Sequence, residues 1–96
     1  LVYYKIATWN NVSLKAKLNS SNAWIARAIF RLASDLGNVN VADAKIQIQV
    51  NDDKLFFRNL KAFFADNGFF TDRQIGVARQ KMRDNYVDYL VTIANQ

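Results

Sequence analysis

Arg27 and Arg31 stand one helical turn apart, and Arg79 and Arg83 repeat that spacing near the end of the chain. Lys81 lies between the second pair, and Arg73 shortly precedes it. An arginine pair at i, i+4 reaches adjacent phosphates of one backbone, and each phosphate neutralised releases condensed counterions. Arg73, Arg79, Lys81 and Arg83 fall within eleven residues, with the later acids Asp84 and Asp88 beyond them. The same side chains also read as a solvated helix surface, with Arg31 and Asp35 as an exposed ion pair contributing about 0–1 kcal/mol. The clustering favours a phosphate-binding face built from Arg73, Arg79, Lys81 and Arg83, which Arg27 and Arg31 would extend.

Other chemistry is scarce. The chain has no histidine and no cysteine, and all eight of its acidic residues are aspartate. That removes disulfides, thiolate nucleophiles, cysteine–zinc sites and most acid–base and metal-binding arrangements. The adjacent pair Asp52-Asp53 has the makings of a magnesium site, since magnesium is held by one or two carboxylates plus phosphates. Adjacent acids at a helix start are more often a cap and a partner for the helix dipole. With no Gly-rich phosphate loop and no nucleophile–base pair, the expectation is a non-enzyme without metal or cofactor. The phenylalanines Phe56, Phe57, Phe63, Phe64, Phe69 and Phe70 read first as core. Phe57, at the edge of its helical face, and Phe69, ahead of a helix cap, are the candidates for docking a protein or stacking on a base. Trp9 and Trp24 read as packing residues.

The elements that must position these groups are bounded by composition. Ninety-six residues make a single domain, 1–96, and a hydrophobic fraction of 51% with 22% charged residues describes a packed globular chain. A formal charge of +5 draws such a domain towards polyanions. No apolar run reaches the roughly 18 residues of a membrane span, and residues 1–6 lack the features of a secretory leader. A cytoplasmic setting without a membrane partner is expected.

There is no proline and there are three glycines, while Ala, Leu, Lys and Arg abound, which favours helices with short connections. Asn10 or Asn11 caps a short helix carrying Val12, Leu14, Ala16 and Leu18. Asn22 caps a helix over 23–36 that ends at Gly37 and buries Ile25, Ala28, Ile29, Leu32 and Leu36. Residues 45–50 alternate polar and apolar with period two, as a half-buried strand does, and residues 2–7 are its natural partner. Asn51 or Asp52 opens a helix over about 53–66, closed by Asn67-Gly68. Thr71 and Gln74 form a capping box, Phe70 is placed to staple onto Ile75, and the helix so opened runs to about residue 95. The fold class is therefore mainly α, a small helical bundle of about four helices, and the pattern allows a short two-stranded β-ribbon.

The stretch from Gly68 to Met82, with its Thr cap, Arg73-Gln74 and Ala78-Arg79-Gln80-Lys81, resembles a recurrent helical segment of small phage and bacterial proteins. Trp9-Asn10, Leu14-x-x-Lys17-Leu18 and Trp24-Ile25-x-Arg27-Ala28 are similar to the front of such proteins. Asp72 and Gly76 depart from the pattern, and no functional residue is carried across. The resemblance implies a DNA-metabolism setting and phage or mobile-element origin, hence the host-cell cytoplasm. The leading expectation is a basic nucleic-acid-associated accessory protein that binds phosphate backbone, DNA before RNA, largely without sequence specificity. The rival is a protein–protein interaction module using Phe57 and Phe69: an inhibitor of a host nuclease or defence complex, or a homodimeric adaptor. A self-assembling structural component ranks third.

Overall fold

Side chains that accept otherwise unpaired backbone amides set where the helices of this chain begin. A computed structural model describes residues 8–96. Asn10 starts α1 (Asn11–Ser20): its Oδ1 accepts from Ser13 N at 2.8 Å, while Ser13 Oγ accepts from Asn10 N at 2.9 Å. Ser21 starts α2 (Asn22–Asp35) by accepting from Trp24 N, and Asp43 starts α3 (Ala44–Asn67) by accepting from Lys45 N and Ile46 N. Thr71 and Gln74 close the expected reciprocal box at the head of α4 (Asp72–Asn85). A last short helix, α5 (Val87–Ala94), follows directly. Each such cap contributes about 1 kcal/mol.

The mainly helical bundle expected from the sequence is present, but the expected β-ribbon is absent from the described residues. Residues 45–50 form the first turns of α3, and the described residues contain no strand. Six alternating residues suit a strand only if another strand pairs with them. Here Asp43 satisfies two amides of the helix start. Gln47 ties the preceding loop down, accepting from Val41 N and donating to the Val39 carbonyl. Of the alternating apolar residues only Val50 is buried, while Ile48 stays 61% exposed. The proposed partner strand, 2–7, lies outside the described residues.

Three boundaries also move. Asn22 is the first residue of α2 and Ser21 its cap. Gly37 sits inside a 3-10 turn, Leu36–Asn38, not at a left-handed helix end. Gly68 does occupy that left-handed position, with φ of 78°, and ends α3 as expected. The single long helix over 71–95 breaks at Tyr86, whose φ of −126° and ψ of 14° divide α4 from α5.

The core forms where the apolar stripes meet. Leu14 and Leu18 of α1, Ile25, Ile29 and Leu32 of α2, Phe57 of α3 and Met82 of α4 are all fully buried. Phe30, Phe64 and Phe70 extend it between α2, the end of α3 and the start of α4, with centroids 4.9–5.9 Å apart. Two bonds tie the segment before α1 to the end of α5: Trp9 N donates to Asn95 Oδ1 at 2.8 Å, and Asn95 Nδ2 donates to the Trp9 carbonyl at 2.9 Å. No helix among the described residues is long and apolar enough to cross a membrane.

Candidate functional site

The α4 cations expected to form one face are dispersed. Arg79 turns inward: its Nε donates to the Leu18 carbonyl at 2.8 Å and its Nη2 to Asn22 Oδ1. Leu18 lies in the last turn of α1, where carbonyls lack helical partners, so Arg79 caps that helix and joins it to α2 and α4. Lys81 points the other way, with Nζ 2.9 Å from Asp53 Oδ1 and 5.1 Å above the Phe56 ring. Arg83 is exposed, paired loosely with Asp84 at 3.7 Å, and lines a shallow hollow of about 210 Å³ with Lys15, Asp84 and Asp88. Arg73 is exposed. It lies ten residues from Arg83, about 15 Å along the helix and most of a quarter-turn around it.

Phe57 is corrected more sharply. Its ring is fully buried, edge-on to Phe56 at 5.2 Å, and so belongs to the core and not to a docking surface. Phe69 remains 53% exposed, resting edge-on against Phe63 at 5.7 Å.

Asp53 has a role the sequence did not suggest. It stands in the middle of α3, 2% exposed, and accepts from Lys81 and, at 2.6 Å, from the Tyr86 hydroxyl. A buried carboxylate requires such partners, since an unpaired one costs several kcal/mol. Burial raises the Tyr86 hydroxyl well above the ordinary tyrosine range, and its bond to the Asp53 carboxylate adds to the shift. Asp35 repeats the arrangement at the surface, accepting from Arg31 Nε at 2.7 Å and from the Tyr89 hydroxyl. The Tyr89 bond first, then Arg31, holds the Asp35 carboxyl below its usual value against the opposing effect of burial.

Further cations lie on α2 and α3. Lys54, Arg58 and Lys61 recur at i, i+4 and i+7, which puts them on one flank of α3. Arg58 and Lys61 line a groove of about 490 Å³ against Ala33 and Ser34 of α2, with no carboxylate in its lining. Gly37 makes room at its end: a Cβ there would lie 2.9 Å from Arg58 Nη2. Across the α2 ridge, Arg27 and Arg31 stand on the rim of a second groove, between α2 and α5. Arg31 is committed to Asp35, whereas Arg27 is exposed. The spacing of Lys54, Arg58 and Lys61 was visible in the sequence, but the convergence of Arg58 and Lys61 with α2 was not. No group of three potential metal-ligating side chains occurs among the described residues. Comparison with protein families, curated proteins and solved structures returns no match to this chain.

Proposed function

We propose that this protein is a small, non-enzymatic nucleic-acid-associated accessory domain that holds phosphate backbone on its α2–α3 face. Lys54, Arg58 and Lys61 supply most of the charge, and Arg27 extends it. The observation that carries this reading is the α2–α3 groove, where Arg58 and Lys61 converge with no acid lining it. The α4 cluster first expected to do this work has Arg79 and Lys81 engaged inside the fold. Binding of this kind is largely independent of sequence and weakens as salt rises. DNA ranks before RNA on the DNA-metabolism setting that the resemblance of the segment from Gly68 to Met82 implies. A phage or mobile-element origin would make the host-cell cytoplasm its setting.

Fluorescence anisotropy over a salt series tests it, using labelled single- and double-stranded DNA. Substituting Lys54, Arg58 and Lys61 together by Gln should flatten the log–log salt slope by about 2 on single strands and about 3 on duplex. An unchanged slope would place the phosphate contacts elsewhere. Phe69 keeps the protein-docking reading in view, because its ring is more than half exposed. Capture of a protein with no salt-dependent DNA binding would favour that rival.

A further inference from the structure

We propose that the groove between α2 and α5 receives the bases of an unpaired strand, which makes single-stranded nucleic acid the ligand class. This inference rests on the phosphate-binding reading above. The groove encloses about 510 Å³, with Leu90 and Ile93 of α5 in its lining and Trp24 and Phe30 contributed by α2. Arg27 and Arg31, the latter paired with Asp35, stand on its rim, and no carboxylate is part of its lining. That volume lies within the range of sites for small, flat ligands.

The argument is one of shape and charge together. A single strand presents an apolar edge of flat bases beside a regular line of phosphates. The α2 ridge presents the complement. On one side lies an apolar, aromatic-lined groove, and on the other lies the cationic groove of Arg58 and Lys61. Ser34 lines both, so the two grooves adjoin along the same helix. Bases lodged against Trp24 and Phe30 would leave their phosphates at Arg27 and along the ridge. Aromatic stacking is indifferent to base identity because every base has a π-face, in keeping with sequence-independent binding. A duplex keeps its bases paired and stacked inward, so it would satisfy the cations and leave the apolar groove wet. An acidic amphipathic helix would fill the α2–α5 groove but leave Arg58 and Lys61 without partners. The observations therefore favour the strand.

The first comparison uses the unaltered protein. The full chain is titrated with labelled oligothymidine of about 16 nucleotides, with an abasic strand of equal phosphate number, and with duplex of equal length. Oligothymidine should bind at least about five-fold more tightly than the abasic strand, with similar salt slopes, and should quench tryptophan emission. Ile93→Gln, in the groove, should abolish that difference and leave abasic binding unchanged. Equal, salt-dependent binding of oligothymidine and abasic strand would overturn the groove inference and leave the phosphate reading standing. Duplex binding as tightly as oligothymidine would do the same. Failure of all three ligands to bind would remove both readings. An acidic helical peptide that shifts tryptophan emission where oligothymidine does not would assign the groove to a protein instead.

Discussion

Replacing Tyr86 by Phe removes one hydroxyl and tests whether the break between α4 and α5 is held from α3. The Tyr86 hydroxyl lies 2.6 Å from Asp53 Oδ2, and Asp53 is 2% exposed. A hydrogen bond to a charged acceptor contributes about 1.5–3 kcal/mol net, so Tyr86→Phe should cost about 2 kcal/mol. Asp53→Ala removes the shared acceptor and leaves two donors behind. Breaking a buried pair costs about 3–5 kcal/mol. The Lys81 side chain is 32% exposed and regains water readily, so the lower end, about 3 kcal/mol, is expected. Once Asp53 is gone, Tyr86→Phe has no bond left to remove, and the double variant should cost little more than Asp53→Ala alone. Urea unfolding followed by tryptophan fluorescence measures all four proteins. The melting temperature of Tyr86→Phe should fall by roughly 8–16 °C, at about 4–8 °C per kcal/mol for a domain of this size. The alkaline limb adds a sign. Because the native Tyr86 hydroxyl titrates above its ordinary value of 10.0, the unfolded chain releases that proton first. Stability should then fall as pH rises past about 10, and more gently in Tyr86→Phe. A cost under about 0.5 kcal/mol, or additive single costs, would refute the network.

Two further outcomes follow from the same geometry. Asp35 has a native pKa held below 3.8 by Tyr89 and Arg31, so its contribution is present above the unfolded value and is lost as pH falls through the native one. Asp35→Asn should therefore cost about 1 kcal/mol near neutrality, with the gap to the parent closing below about pH 4 in a series of urea midpoints. Arg79→Met should cost about 1–2 kcal/mol by uncapping α1 and releasing Asn22, yet leave the salt slope of DNA binding unchanged. A flattened slope would return Arg79 to the binding surface.

Local signals were legible where one stretch of chain settles the matter. The stripe Ile25, Ala28, Ile29, Leu32, Leu36 is buried throughout, and Thr71 with Gln74 needs only its own four residues. What escaped the sequence depends on distant partners. Ile46, Ile48 and Val50 fit a strand as well as a helix until the cap at Asp43 decides. That earlier start also changes which phenylalanine is central. Val50, Asp53, Phe57 and Leu60 recur at i, i+3, i+7 and i+10 as the buried line of α3, so Phe57 is interior and Phe56 flanks it. Asp53 looked like a helix-start acid because nothing nearby distinguishes it from Asp52. Its meaning comes from Lys81 and Tyr86, 28 and 33 positions away. The break at Tyr86 has neither Pro nor Gly to announce it.

The same partners explain why the net charge of +5 misleads if it is spread evenly over the surface. Arg31, Lys81 and Arg83 each have an aspartate in reach, and Arg79 is turned onto a carbonyl and an amide. The shallow hollow holding Lys15 and Arg83 contains Asp84 and Asp88 as well, so it carries little net field. Lys54, Arg58 and Lys61 share one flank of α3, Arg58 and Lys61 in a groove whose lining holds no carboxylate, with Arg27 across the ridge. This bounds the electrostatics of binding. Four phosphate contacts release counterions enough for a salt slope of about 3 on a single strand and nearly 4 on duplex. A measured slope well above that would require further cations, such as Arg73 of α4 or Lys15 and Lys17 of α1, and would extend the binding track beyond the two grooves.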